Sequence, residues 1–442
     1  MTLVIRKSGQ LRLVATIIVL AFFAGYLFDF AAPRSFLAPY YLSFRSALLS
    51  GTFGVEQILY FLILVFTGFI FLLVPSYFGL LLLYSFGKTS LIATNFFPLV
   101  SILIPAKNQE KEIGDTLDCL LKSDYPKDKM EIIVVTSGST DRTTEICKEF
   151  SSQGPVRVFD KTLSRKGKPA ALNLGLASAK GELIAIYDAD TITKEETIRN
   201  LITPFSESEV SAVTGPVQVL NESENKLTKG AALENTFYSG AGLLYEIRER
   251  LGQGLNLPGR NFSIRKDLLK SLGGFEVTAL TEDFSLMFKL KEQGKPIAFS
   301  PKAVARDIVP PNWNAFSMQR KRWTAGWNEE NKKYMTLTRN KGKAALSLIN
   351  FLIQGNLANF TLIAIILAPI FLLLGDYLIA TASLLTIIFT VALMAVAVHK
   401  YGNKKYSLLA YFPVFIFITL FMFKCAALKP QKGLEWNKTP IE

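Results

Sequence analysis

The sequence predicts an α/β fold with a doubly wound, mostly parallel sheet, preceded and followed by transmembrane α-helices. Three features point there. Short apolar runs alternate with helical stretches between residues 95 and 335, polar motifs stand directly after those runs, and long, nearly uncharged stretches crowd both ends of the chain. The first run, 99–104 (LVSILI), is ended by Pro105 and suits a buried parallel strand. A helical stretch at 111–122 follows, then a second strand at 131–135, a helix at about 141–151, a short strand at 156–159 and a helix at 168–179. The fourth strand, 183–187, runs straight into Asp188. Strands and helices alternating at this spacing imply parallel pairing, with ligands bound beyond the carboxyl ends of the strands.

Half of the 442 residues are hydrophobic and Phe alone supplies 34, which brings membrane spans to mind first. Residues 11–32 and 57–84 are long enough to cross about 30 Å of hydrocarbon, and 356–374, 377–398 and 406–424 give three further candidates. A signal peptide is the alternative for the first, but its apolar run is long and lacks a small-x-small cleavage site. The expected organisation is a membrane region over 1–94, a cytosolic domain over 95–335, and an interfacial and transmembrane region over 336–442. The net charge of +13 does not read as nucleic-acid binding, because many of the bases flank the spans. The basic, acid-free stretch 332–343 would stay on the cytosolic side, facing anionic lipid. Three cysteines without metal-ligand spacing suit a reducing compartment, and a single histidine, His399, leaves the chemistry to carboxylates, Lys and Arg.

Asp188-Ala189-Asp190 aims two carboxylates at one point above the sheet. Mg2+ is typically held by one or two carboxylates plus substrate phosphates. Read alone, the motif is as well served by a turn or an N-cap for a helix starting near Lys194. Ser137-Gly138-Ser139-Thr140-Asp141 suits a tight turn with Asp141 near a helix N-cap, and Lys166-Gly167-Lys168 puts two lysines at a helix start, where phosphate binds well. Thr281-Glu282-Asp283 opens an amphipathic helix, with Thr281 as its candidate cap and two acids favoured by the helix dipole. Gln319-Arg320-Lys321-Arg322-Trp323 reads by itself as a cationic, aromatic interfacial segment.

Taken together and in this order, these motifs resemble the family 2 glycosyltransferases, specifically the membrane branch of cellulose, hyaluronan, chitin and poly-N-acetylglucosamine synthases. The resemblance covers roughly residues 98–330. Pro105-Ala106-Lys107-Asn108 resembles the family's donor-binding end of the first strand. Gly167-Lys168 with Ala171-Leu172-Asn173 looks like its lysine segment, Asp188-Ala189-Asp190 its DxD, Thr281-Glu282-Asp283 its TED, and Gln319 to Trp323 its QxxRW. Leu272-Gly273-Gly274-Phe275 fits as well, and Pro258-Gly259-Arg260-Asn261 more loosely. The resemblance implies a GT-A-like fold and inverting transfer of a sugar from a UDP- or GDP-sugar to a glycan or lipid acceptor at the cell membrane. It implies a Mg2+ or Mn2+ held by Asp190. The donor would be held by Pro105, Ala106, Lys107, Ser137, Lys168, Asp188 and Arg322. Asp283 would be the general base, with Trp323 and Glu282 at the acceptor. Two departures bear on base recognition: Thr136-Ser137 stand where relatives carry an acid pair, and Asn108-Gln109-Glu110 replaces Asn-Glu-Glu.

A processive polysaccharide synthase and a single transfer onto a membrane lipid both satisfy these motifs. A transporter with a regulatory domain is disfavoured because no candidate span has an acid well inside it, Asp29 and Asp376 lying at ends. A binding-only relative would have no chemical need for Asp190, Asp283 and Arg322 together. For the C-terminus two readings stand: a fifth span, or a segment that Pro413 breaks into an interfacial or re-entrant piece.

Overall fold

The computed structural model describes residues 38–51, 54–59, 74–86, 95–152, 154–161, 167–250, 255–340, 357–375 and 377–427. The candidate span 11–32, residues 60–73 of the second, Lys166, and the tail beyond Ala427 lie outside the described residues. The chain falls into two compact units. One holds Met1–Lys88, Arg250–Gln253 and Phe351–Val396; the other, Thr89–Glu249, Gly254–Asn350 and Ala397–Glu442.

The second unit is built on a seven-stranded sheet. Its first half comprises β1 (Val100–Ala106), α1 (Ile113–Leu121), β2 (Met130–Thr136), α2 (Thr143–Ser151), β3 (Val156–Asp160), α3 (Lys168–Ser178) and β4 (Leu183–Ile186). These strands pair in parallel in the order β3-β2-β1-β4. Side chains alternate across the central strand as the pleat requires. Ile102 and Ile104 join Ile113, Leu117 and Leu120 of α1 in one buried cluster. Leu103 faces the opposite way: a Cβ added at Gly175 of α3 would meet its Cδ2 at 3.1 Å. Each such buried aliphatic chain contributes about 1.5–3 kcal/mol.

The second half runs through β5 (Ile192–Thr193), α4 (Thr197–Ile202), β6 (Ala212–Thr214), β7 (Val217–Val219), α5 (Lys226–Glu234), α6 (Leu243–Arg250), β8 (Phe262–Arg265), α7 (Lys266–Ser271), α8 (Glu282–Glu292), β9 (Ile297–Phe299), β10 (Ala305–Asp307) and α9 (Trp313–Asn340). β8 is antiparallel to both β4 and β6, so the sheet is mixed in this half, completing the order β4-β8-β6-β9. β10 lies between β5 and β7 in a separate small sheet. The helix expected from Lys194 begins at Thr197 instead, because residues 192–193 pair with β10.

Two local arrangements bring site residues together. The turn after β4 is held by Thr191 N–H donating to Asp188 O (3.1 Å) and by Thr116 Oγ1 of α1 donating to Ala189 O (2.9 Å). Across the molecule, Trp327 of α9 meets the rings of Phe284 and Phe288 on α8, at 5.1 and 5.6 Å. That docking sets the TED helix beside the helix carrying Arg322 and Trp323.

The last segment, α10 (Phe412–Ala427), follows a 3-10 helix over Tyr406–Tyr411, with Pro413 at the start of its first turn, where proline's missing N–H leaves no bond unmade. It packs inside the second unit. Trp313 of α9 lies 5.1 and 4.8 Å from the rings of Phe417 and Phe421, and Gly230 of α5 faces Val414. Within the first unit, Thr361 of the helix Leu357–Leu373 and Thr390 of the helix Tyr377–Tyr401 share a hydroxyl–hydroxyl hydrogen bond at 2.9 Å. Among the described residues one helix, Ile379–Tyr401, is long and apolar enough to cross a membrane, while Phe360–Leu373 and Tyr406–Met422 are shorter apolar helices.

Asn261 shows how closely the second half is tied. It is fully buried with φ +51°. Its Oδ1 accepts from Tyr187 Oη (3.1 Å), and its Nδ2 donates to Pro216 O (2.9 Å) and Ala303 O (2.7 Å). Asn261→Ala strands buried polar groups on three segments and is expected to cost about 3 kcal/mol. A thermal melt of the purified variant, expected to drop by roughly 10 °C, checks this.

Candidate functional site

The carboxyl ends of β1, β2 and β4 open on one rim. Ala106 is in register with Thr136, and Leu103 with Ile186, so Pro105, Ala106, Ser137 and Asp188 follow adjacent strand ends. The loops after β1 and β2 are stitched together. Asn108, at φ +53°, accepts from Thr140 N–H at 2.9 Å; Gln109 N–H donates to Thr143 Oγ1 at 2.7 Å; Arg142 N–H donates to Glu110 Oε2 at 3.0 Å. Asp141 stands next to Arg142, the N-cap position of α2, and its Oδ1 accepts from the hydroxyl (2.5 Å) and the backbone N–H (3.1 Å) of Thr143, the helix's first residue. Of the residues that depart from the family pattern, Gln109 joins this stitching through its backbone N–H, and the Thr136 hydroxyl donates to Asp160 Oδ1 at 3.2 Å. Lys107 is exposed and Ser137 half-buried, and among the described residues neither bonds to the carboxylate cluster.

The centre of that cluster is Lys168. Gly167 supplies the φ of +114° that lets the chain turn into α3, placing Lys168 at the helix start with Pro169 behind it. Its ammonium lies 2.6 Å from Asp188 Oδ1 and 3.3 Å from Glu282 Oε1, and donates to Gly259 O at 2.9 Å. An ammonium has three donors, and all three have partners here. Burial works against the charge, but the two carboxylates outweigh it and raise the lysine's pKa.

The second acid of each motif is placed differently. Asp190 is pushed up to about 7 by desolvation, then by repulsion from Asp188 and Asp307, with Arg260 opposing. Asp283 is likewise pushed to about 7 by desolvation and by Glu282, against Lys168 and Arg322. Its Oδ1 accepts from Phe284 N–H at 2.9 Å, and a Cβ added at Gly259 would stand 2.8 Å from its Oδ2. Thr281 occupies the N-cap position of α8 without a side-chain cap bond, because Gly326 of α9 packs on its hydroxyl. Asp190 and Asp283 therefore belong to one polar network, joined through Asp188, Lys168 and Glu282.

Three further groups were not among the residues expected from the motifs to act. Arg260 forms a buried ion pair with Asp307 and sits 5.8 Å from the Trp323 ring. Arg320 stacks on the same ring at 4.4 Å and reaches Glu234 Oε2 at 2.7 Å. The carbonyl of Gly259 is the third. Arg260 and Gly259 stand in Pro258-Gly259-Arg260-Asn261, and Arg320 within the Gln319–Trp323 run, so their positions carried a signal; Asp307 had none.

Comparison with known proteins identifies the family and the fold. The model of the family "Glycosyltransferase like family 2" matches residues 98–326, more than half of the chain. A poly-beta-1,6-N-acetyl-D-glucosamine synthase of Staphylococcus epidermidis is 30% identical over 52% of this chain and 55% of its own length. A beta-monoglucosyldiacylglycerol synthase of Nostoc is 31% identical over 44% of this chain and 41% of its own. The chain thus spans about half the length of these curated relatives. The solved structure of a mannosyltransferase from Pyrobaculum calidifontis, in complex with GDP-Man and Mn2+, superposes with a TM-score of 0.52 at 19% identity, covering 82% of this chain and 97% of that one. That likeness shows a GT-A-like fold, and with the match over residues 98–326 it places the chain in family 2 of the glycosyltransferases.

Proposed function

We propose that the chain transfers a hexose, with inversion, from a UDP- or GDP-sugar to a growing β-linked polysaccharide at the cytosolic face of a membrane. The observation that carries the reading is Lys168, which bonds to an acid of the DxD and an acid of the TED at once. Donor and acceptor functions then meet at one point.

Asp283 is the proposed base. Its half-buried, desolvated carboxylate is more basic than one in water, and so better suited to take the acceptor hydroxyl's proton during attack. Glu282, paired with Lys168, keeps a second negative charge beside it and also lies on the acceptor side. Asp188 and Lys168 face the donor, with Pro105, Ala106, Lys107 and Ser137 lining the strand ends where its nucleotide would lie. Arg322 offers a planar fork for the diphosphate. Trp323, approached by the Arg260 and Arg320 guanidinium groups, would present a flat surface to the acceptor sugar. With one base and no nucleophile in view, a single displacement follows, turning an α-linked donor into a β-glycoside.

Asp190 fits a divalent cation, since its desolvated carboxylate is repelled by Asp188 and Asp307 and only partly offset by Arg260. No group of three ligand side chains is present among the described residues, so donor phosphates would complete the shell. Asp190 would hold Mg2+ or Mn2+, which supplies Lewis-acid stabilisation of the departing diphosphate.

Membrane attachment rests on the apolar helix Ile379–Tyr401 and the bases that follow it. The likeness to a glycolipid synthase supports a second reading, one transfer onto a membrane lipid. Sizing the product made from labelled donor separates the two: a ladder of lengths supports polymerisation, a single addition the lipid acceptor.

Asp283→Asn is expected to lower kcat by a factor of about 10²–10⁴ with donor affinity nearly unchanged. In the wild type, kcat/KM should rise with pH through about 7, as Asp283 loses its proton. A flat profile, or turnover surviving within tenfold in the variant, removes the assignment.

Asp190 makes a stability prediction. Its folded pKa, about 7, exceeds the unfolded value, so ionisation penalises the native state increasingly as pH rises from about 4 to 7. Without metal or donor, Asp190→Asn should melt above the wild type at pH 8 and level with it near pH 4. Mn2+ with donor should stabilise the wild type alone.

A further inference from the structure

Among the described residues three arginines are buried, and two of them face a carboxylate: Arg260 pairs with Asp307 and Arg320 with Glu234. Arg248 on α6 is the exception. It is 1% exposed, and both of its terminal guanidinium nitrogens lack a hydrogen-bond partner among the described residues. A cation removed from water without a counter-charge is strongly disfavoured. The surroundings add to the imbalance. Lys291 of α8 is held down to about 7 by burial and by the charge on Arg248, so the two cations are within electrostatic reach of each other. The Lys291 ammonium donates to a neutral group, Asn256 Oδ1, at 3.0 Å, and lies 5.7 Å from the Phe288 ring. The phenols of Tyr238 and Tyr245 are within electrostatic reach of Arg248, and the next four residues in sequence, 251–254, include no acid.

We propose that Arg248 and Lys291, with Asn256 positioning the lysine, form a buried anion site that takes a phosphate-class group. A guanidinium with both terminal nitrogens available forks onto two oxygens of one phosphate, and a second cation suits a dianion better than a lone carboxylate. Lys291 lies eight residues beyond the proposed base, Asp283, on the same helix, roughly 12 Å along its axis. The phosphate is free in solution, borne by an acceptor, or part of a lipid headgroup.

The test uses the full chain in detergent, melted in inorganic phosphate and in chloride at equal ionic strength. Phosphate is expected to raise the wild-type Tm and to leave Arg248→Gln unmoved. Lys291→Gln, at a half-exposed position, should weaken the apparent phosphate affinity by about tenfold. In chloride, Arg248→Gln should be no less stable than the wild type, since the arginine gives up no protein partner. No phosphate response in the wild type, a response unchanged in both variants, or a marked loss of stability of Arg248→Gln in chloride overturns the proposal. Nanodiscs distinguish the sources. A phosphate response present in zwitterionic discs and abolished in anionic ones assigns the site to a lipid headgroup, and one retained in both assigns it to a soluble or acceptor-borne phosphate.

Discussion

The three bonds of the Lys168 ammonium are the constraint on which the site depends. They reach Asp188 at the end of β4, Glu282 at the start of α8, and the carbonyl of Gly259 in the loop before β8. A lysine this buried is stable as a cation only because two carboxylates face it, and those carboxylates are tolerable only because the lysine is there. The four groups stand or fall together. They fix the distance between the parallel half of the sheet and the helix that carries Asp283.

This arrangement divides each acid pair into unlike halves. Asp188 and Glu282 are neutralised by Lys168, whereas Asp190 and Asp283 are left desolvated, repelled by neighbouring acids and raised to about 7. An environment that separates two carboxylates in this way assigns them different work. The compensated members hold geometry. The other two are only partly compensated, by Arg260 for Asp190 and by Lys168 and Arg322 for Asp283, and on the proposed reading they would meet a cation and a proton.

A second layer of charge supports the first. Arg260 with Asp307 and Arg320 with Glu234 are buried pairs whose guanidinium groups both approach the Trp323 ring. Such pairs add little net stability, but they fix a ring that would otherwise turn about two bonds. Asp307 also couples this layer to Asp190, since its charge raises that carboxylate. The aromatic surface and the candidate metal ligand are thereby linked through a strand, β10, outside the main sheet.

Much of this was legible in residue order. The strands over 100–106, 130–136 and 183–186 are near-continuous apolar runs because both faces of a parallel sheet are covered, and such runs need no knowledge of their partners. The acids after those runs, the glycine before Lys168 and the Gln319–Trp323 spacing are local patterns too. Capping was less legible. Thr281 stands at the N-cap of α8, yet a glycine 45 positions later covers its hydroxyl, whereas Asp141 does bond the first residue of α2, Thr143. The antiparallel β8 and the two-residue strand β5 were missed because strands of two to four residues carry too little periodicity to read.

The sequence by itself determined which residue types are available and which end of the sheet they occupy, since burial and chain direction are written into local hydrophobicity. Only the tertiary structure decided which acids would be neutralised. Lys168 and its partners lie 20, 91 and 114 positions apart in the chain. Desolvation, which sets the state of Asp190 and Asp283, is a property of everything packed around a group and not of its neighbours in sequence.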